Sequence, residues 1–343
     1  MNITIKRLLN QIGDVKYIKR ACYRDLHIIR FYSSYVVISN GRVIEVTNPC
    51  MIYCPLAGFL YKNINLSGNP SLIKEVIKRA IESKISEFGY FTEKRELFSK
   101  DIAIPYGASE ILMYALKKKS IDAAVVVCDG AGTVIVNKPE IVQGVGARMN
   151  GIFYTSPIKG IIRKLEKTGS YVISQDGTID QIKGIEKAAS LGYKNIAVTI
   201  NASMDVPVST LEKIESDFKI SLTSLAVCTT GLNRNRIKEI GKYTDIVWSC
   251  GSKELRMVIG KKAIMQLSRK IPVFILTKKG LDLVSNYSSH KALIKNLDLS
   301  KQYILAGGCK GKKIKMGNFN VCFNEARLPI RHKKEPVLNE IYS

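Results

Sequence analysis

No stretch of the 343 residues approaches the ~18 to 20 consecutive apolar residues that a membrane-spanning helix requires, so no such helix is expected. Met1 to Arg20 mixes Lys and Arg with single aliphatic residues and never builds the apolar core and small-residue cleavage site of a secretory signal, which points to the cytoplasm. CxxC pairs are missing, and the three histidines, His27, His290 and His332, are scattered, which argues against a His-rich zinc site. There is no run of five basic residues, no aromatic RNA-binding signature and no helix-turn-helix pattern. Carboxylates at a spacing that would single out an acid–base pair are also lacking.

What is present is a chain rich enough in apolar residues, at 46%, to supply a real core for one large or two ordinary domains. Its formal net charge of +24 creates a potential that attracts anions. Because the lysines are spread over most helical segments, that charge favours a basic soluble surface or an anionic small ligand over nucleic acid. The eight cysteines, in a reducing compartment, are expected as thiols: buried small side chains, metal ligands or reactive groups.

The chain divides into four stretches. In residues 1–65, β-type alternation from His27 through Ile29, Phe31, Tyr35 and Val37 reaches Asn40-Gly41 and resumes at Val43, which predicts a β-hairpin around a turn with φ > 0 at both central positions. Cys50 and Cys54 follow in a loop framed by Pro49 and Pro55. Residues 66–154 form a mixed α/β portion. Asn69 caps and Pro70 opens a helix that Gly89 closes, a second helix spans Ser109 to Lys119, and Asp122 to Cys128 reads as a buried strand. Asp129-Gly-Ala-Gly132 and Thr133-Val-Ile-Val136 then suggest a hairpin with a glycine turn, or alternatively a glycine turn that admits a ligand to the backbone. Gln143 to Gly151 has neither a Walker lysine nor the helix-opening glycines of a dinucleotide fingerprint.

Residues 155–309 alternate short apolar runs with helix-period segments: strands at Tyr171–Ser174, Asn195–Ile200, Ser221–Cys228, Asp245–Cys250, Pro272–Leu276 and Tyr303–Leu305, and helices between them, including Lys253 to Arg269 and Lys279 to Asn296. This predicts an α/β fold with a doubly wound, mainly parallel, Rossmann-like sheet, preceded by the N-terminal hairpin and helical portion. Residues 310–343 read as a basic, irregular tail with one strand hint at Val321–Phe323.

In such a sheet the loops after the strands meet at the carboxyl edge, where open α/β sheets bind ligands. Thr229, Thr230, Gly231, Gly251 and Ser252 precede helices whose N-termini favour an anion, with Lys278 adding charge, and Gly130, Gly132 and Thr133 are the matching residues of the earlier turn. The bland alternative is that these Ser and Thr residues simply cap helices. Cys128 and Asp129 are the candidate catalytic pair. Cys54, Cys128, Cys228 and Cys250 are the candidate metal ligands, drawn from several loops as an iron–sulfur cluster would need. Against both readings, strand-end cysteines commonly pack in the core. The cofactor classes in view are thus an iron–sulfur cluster or an anionic small molecule.

Seven short segments carry a family resemblance: Tyr53-Cys-Pro-Leu56, Gly107 to Met113, Cys128 to Ile135, Val142 to Gly146 with Thr155 to Ile158, and Ile271 to Phe274 with Thr277 to Gly280. In these the chain resembles the methanogenesis marker protein 8 family, a domain of unknown function, from about the first hairpin to Gly280. The resemblance implies a role in anaerobic one-carbon metabolism, in cofactor synthesis or enzyme maturation, and transfers no catalytic residue. Three functions follow as expectations: a protein binding an anionic ligand or metal centre, as an enzyme or as an assembly factor in a maturation complex; a non-catalytic adaptor or regulator docking its basic surface on an acidic partner; and an RNA-binding protein.

Overall fold

Two tight turns with positive φ build the first sheet. A computed structural model of the chain describes residues 25–49, 51–53, 69–308, 310–330 and 337–338. Strands β1 (His27–Phe31) and β2 (Ser34–Ser39) are joined by Tyr32 and Ser33, at φ 51° and 66°. β2 and β3 (Arg42–Val46) are joined by Asn40 and Gly41, at φ 48° and 66°. The second turn is the expected Asn-Gly hairpin. The first divides what reads as one strand from His27 to Val37. It carries no Gly, Asn or Asp to announce it, and both its residues are buried, so packing holds the conformation. β4 (Met51–Tyr53) pairs instead with β17 (Val337–Leu338) near the chain's end.

Helix α1 (Pro70–Phe88) covers this sheet. Asn69 Oδ1 accepts the backbone N–H groups of Ser71 and Leu72 at 3.0 and 3.4 Å, and Gly89 ends the helix at φ 67°. Ile73, Ile77 and Ile81 fall on one face and pack with Ile29, Phe31, Ile38 and Val43. Each such side chain contributes about 1.5–3 kcal/mol when fully buried.

The large sheet forms the centre of the molecule. Along the chain come α2 (Ala108–Lys117), β5 (Ala123–Cys128), β6 (Gly132–Val136), α3 (Pro139–Gly146), β7 (Gly151–Thr155), α4 (Lys159–Lys167), β8 (Tyr171–Val172), α5 (Gln181–Ser190), β9 (Asn195–Asn201), α6 (Leu211–Phe218) and β10 (Ser221–Val227). There follow α7 (Arg234–Tyr243), β11 (Ile246–Trp248), α8 (Lys253–Gly260), β12 (Met265–Leu267), β13 (Val273–Ile275), α9 (Lys278–Ser285), α10 (Lys291–Lys295), β14 (Tyr303–Ala306), β15 (Lys312–Met316) and β16 (Phe319–Glu325). β7 leaves this series and joins the small sheet, in the order β3-β2-β1-β7. The other strands form an eleven-stranded sheet in the order β15-β16-β14-β12-β13-β11-β10-β9-β5-β6-β8.

The sheet is mixed rather than mainly parallel. Four of its ten pairings are parallel, linking β5, β9, β10 and β11 and, separately, β12 with β14, and the other six are antiparallel. The reason lies in the connections. β5 returns through the three-residue corner Asp129-Gly130-Ala131 as β6, and β12 and β13 are joined too closely for a helical crossover, so both pairs run antiparallel. Both faces are covered. β5, β9, β10 and β11 alternate their side chains between a core formed with α2, α3, α4 and α9 and a second core formed with α5, α6, α7 and α8.

Three segments depart from the predicted elements. The expected helix from Lys253 to Arg269 ends at Gly260, and β12 follows it. The expected helix from Lys279 to Asn296 is two short helices, α9 and α10. Residues expected in an irregular tail supply the β15–β16 hairpin, whose Ile314, Met316 and Val321 complete one core at the sheet's edge.

Candidate functional site

The parallel strands β9, β10 and β11 deliver their following loops to one edge, and those loops are tied together by their own side chains. Thr229 donates its hydroxyl to the Trp248 carbonyl at 2.5 Å and accepts the Cys250 N–H at 3.1 Å. Thr230 Oγ1 accepts the Gly251 N–H at 3.1 Å. Ser203, beyond β9, donates to the Cys228 carbonyl at 2.5 Å. Thr229, Thr230, Gly251 and Ser252 are all buried, and Ser252 Oγ caps α8 by accepting the Leu255 N–H at 3.1 Å.

A cation reaches this edge from the small sheet. Arg30, in β1, donates from Nη1 to Ser203 Oγ at 3.2 Å and to the Thr230 carbonyl at 2.9 Å, with its guanidinium 5.6 Å over the Tyr35 ring. Gly231 lies beside it: a Cβ there would sit 3.5 Å from Arg30 Nη2. Nothing in the local sequence announces Arg30, which reads as the outward residue of an alternating strand between Ile29 and Phe31.

Cys228 and Cys250 belong to the same edge and lie within electrostatic reach of each other and of Arg30. Cys228 adopts φ 58°, a conformation uncommon for a side-chain-bearing residue, and its sulfur occupies the space where Gly151 lacks a Cβ. Burial pushes its thiol up to about 12, reinforced by Cys250 and opposed by Arg30. Burial raises Cys250 as well, against the opposing Thr229 hydrogen bond and the positive charges of Arg30 and Arg256. Both are thus neutral thiols at neutral pH, and a metal bound there must displace their protons.

Cys128 and Asp129 occupy a different, sealed environment. Asp129 accepts Arg95 Nε at 2.9 Å and the Phe91 N–H at 2.8 Å, and both members of the ion pair are essentially inaccessible. The Arg95 guanidinium also donates to the Glu96, Gly144 and Val145 carbonyls and stacks 3.9 Å over Tyr90. Burial raises the Cys128 thiol, the Asp129 charge adds to that effect, and Arg95 opposes it. Sequence reasoning missed Arg95, because Lys94-Arg95-Glu96 looks like a solvated charged run.

The turn after Cys128 is the expected hairpin, and it is covered. Gly130 packs under Ile158 and Ile161, and Gly132 packs against the backbone of Gly177 and Thr178. Thr133 donates to Gln181 Oε1 at 2.6 Å and accepts the Asp180 N–H at 2.8 Å. The Gly130 N–H is taken by Thr155 Oγ1 at 2.7 Å, and Thr155 bonds His27 Nδ1 at 2.7 Å, whose Nε2 meets Asp25 at 2.7 Å. This relay pins the turn to the small sheet.

Lys278 is not at the carboxyl edge, contrary to expectation. β13 runs antiparallel to β11, so the residues after it return to the start of β11, where Thr277 donates to Asp245 and Lys278 pairs with Asp282. Cys50, Cys54 and Cys309 lie outside the described residues. Among the described residues no group of three or more His, Cys, Asp or Glu is arranged to hold a metal ion. No described helix is long and apolar enough to cross a membrane.

The fold and this edge define a mixed α/β protein with a polar, thiol-bearing cluster beneath a second, smaller sheet. The chain belongs to the family described as "Uncharacterized protein conserved in archaea (DUF2099)", which matches residues 27–288. It is 41% identical over 250 residues to "Uncharacterized protein MJ0054" of Methanocaldococcus jannaschii, a match covering 73% of this chain and 85% of that protein. The family match takes in Arg30, Cys228 and Cys250 and leaves out the β15–β16 hairpin.

Proposed function

We propose that this protein binds an anionic small molecule at the carboxyl edge of β9, β10 and β11, and serves anaerobic cofactor synthesis or enzyme maturation in the cytoplasm. The observation that carries the reading is Arg30, a cation that the small sheet inserts between strand-end loops already furnished with two thiols and several hydroxyls. Two of its acceptors, the Ser203 hydroxyl and the Thr230 carbonyl, are neutral, and a carboxylate or phosphate makes a stronger bond to a guanidinium than either of them. The likeness to methanogenesis marker protein 8 supports the metabolic setting. The parallel run β5-β9-β10-β11 with helices over both faces supports a Rossmann-like reading of this half of the sheet.

A second reading is favoured by the neighbouring Cys228 and Cys250: the ligand carries a metal or iron–sulfur centre whose soft atoms these thiols meet after losing their protons. Titration of inorganic phosphate and pyrophosphate by calorimetry tests the anion. Binding to the wild type that falls at least tenfold, about 1.4 kcal/mol, in Arg30→Met supports the reading. Equal binding by both proteins, or none by either, counts against it.

A further inference from the structure

A second concavity, sharing no residue with the strand-end cluster, opens between the end of α1, residues 95–101 and the end of α3. Its volume is about 220 Å³, and its walls include Phe88, Tyr90, Phe98, Lys100, Asp101 and Arg148. That volume is below the ~300–1,000 Å³ of pockets for drug-sized ligands, and suits one flat ring system.

Its aromatic wall is built and then left open. Leu97 is buried, its carbonyl lies where Gly144 has no Cβ, and the Ser99 N–H donates to the Glu140 carbonyl at 3.0 Å, so α3 pins the main chain on both sides of Phe98. Phe98 is thereby held outward, with 62% of its surface exposed. A large aromatic face fixed in water at the rim of a cleft is an unfilled stacking surface.

Apart from Arg95, the walls carry the cations Lys100 and Arg148 and the carboxylates Glu96 and Asp101, and Lys84 behind Arg148 tips the balance towards positive charge. Arg148, at φ 59°, stacks 4.7 Å over Phe88, and Lys100 lies 5.6 Å over Phe98. Lys84 backs Arg148 from behind, donating to its carbonyl at 2.6 Å and to Asn150 Oδ1 at 2.8 Å. Asp101 pairs with Arg148 at 3.8 Å, but with a side chain 77% exposed it is a solvated contact that holds the guanidinium weakly. Burial, and to a lesser degree the Arg148 charge, pulls Lys84 down from 10.5 to about 8. Arg95, also in the wall, is committed to Asp129 and three carbonyls.

We propose that this cleft binds a planar aromatic or heteroaromatic ring bearing a carboxylate or phosphate, with the ring against Phe98 and the Arg148 guanidinium and the acid group between Arg148 and Lys100. Stacking accepts any π-face, and the two cations select the acid.

Calorimetry on the full chain tests this with adenosine 5′-monophosphate, adenosine and 4-aminobenzoate. The first and last probe separate a phosphate source from a carboxylate source. The expected result is binding of at least one anionic probe in the millimolar range or tighter, with Phe98→Ala weakening it by about tenfold. If the nucleotide binds, adenosine binds more weakly. Arg148→Asn, which tolerates the left-handed backbone, weakens the anionic probe and removes any advantage of the nucleotide over adenosine. Should that variant not fold, Lys100→Gln replaces it. Arg30→Met leaves this binding unchanged, which separates the cleft from the strand-end site. Failure of both anionic probes to bind the wild type overturns the proposal. So does binding unaffected by Phe98→Ala or by the cation substitution, or binding lost in Arg30→Met.

Discussion

Arg30 and Thr230, 200 residues apart in the chain, are joined by a hydrogen bond of 2.9 Å from the guanidinium to the carbonyl. Through it the small sheet grips the end of β10 and presents a positive charge to the loops that follow β9, β10 and β11.

Removing that grip has a cost apart from any ligand. Arg30→Met is expected to lower stability by about 1.5–3 kcal/mol, the range for hydrogen bonds to charged groups. Because Arg30 also donates to Ser203, its pairing with Ser203→Ala should be less than additive in urea unfolding. Strict additivity would mean that the two side chains do not act together.

Gly151 and Cys228 form a matched pair in which one residue lacks what the other fills. Gly151→Ala should destabilise by ~1–3 kcal/mol through overpacking. Adding Cys228→Gly removes the sulfur and suits the φ of 58° at that position, so the double variant should recover most of the loss. A double variant no more stable than Gly151→Ala contradicts the contact.

The Cys228 thiol, pushed up to about 12, stays protonated at neutral pH. Alkylation by iodoacetamide, followed by peptide mass spectrometry, should be much slower there than for glutathione and should accelerate only as the solution becomes strongly alkaline. Arg30→Met, which removes a charge that lowers this pKa, should slow it further. Rapid labelling at neutral pH in the folded protein would oppose the burial described.

Asp129 and Arg95 are an ion pair closed from water. Asp129→Ala leaves the guanidinium buried and uncompensated and should cost about 3–5 kcal/mol, read from chemical denaturation. A loss below about 1 kcal/mol would show the pair to be solvated.

Lys84 makes stability depend on pH. Folding lowers its pKa from 10.5 to about 8, so between those values the unfolded chain binds more protons than the folded one. Its contribution is therefore least favourable below 8 and improves as pH rises towards 10.5. Lys84→Met should remove that rise, and the wild-type minus variant difference in unfolding free energy should climb across the window. A flat difference contradicts the depressed pKa.

The parts of this fold that were legible are those whose signals are local. Asn40-Gly41 announces its turn, Asn69-Pro70 and Gly89 bracket α1, and the apolar runs of β9 and β10 lie between clear helices. β12 was hidden inside the expected helix from Lys253 to Arg269, because a three-residue strand is too short to establish a period of its own, whereas β13 falls within the expected strand Pro272–Leu276. Strand direction was hidden too. A sequence does not say that β13 turns back, so Lys278 was expected at the edge opposite to the one it occupies. The shared neighbourhood of Cys228 and Cys250 was readable from parallel strand ends, whereas Arg30 joins them only through contacts between sheets.

The central claim is that Arg30 and the strand-end loops hold an anionic ligand, and native mass spectrometry of anaerobically purified protein tests it most directly, with iron and sulfide analysis alongside. The wild type is predicted to carry added mass, or to acquire it with pyrophosphate, and Arg30→Met to lose it, with iron present only if Cys228 and Cys250 meet a metal centre. A wild type that stays at its bare polypeptide mass under both conditions, or an Arg30→Met variant that retains the added mass, contradicts the account.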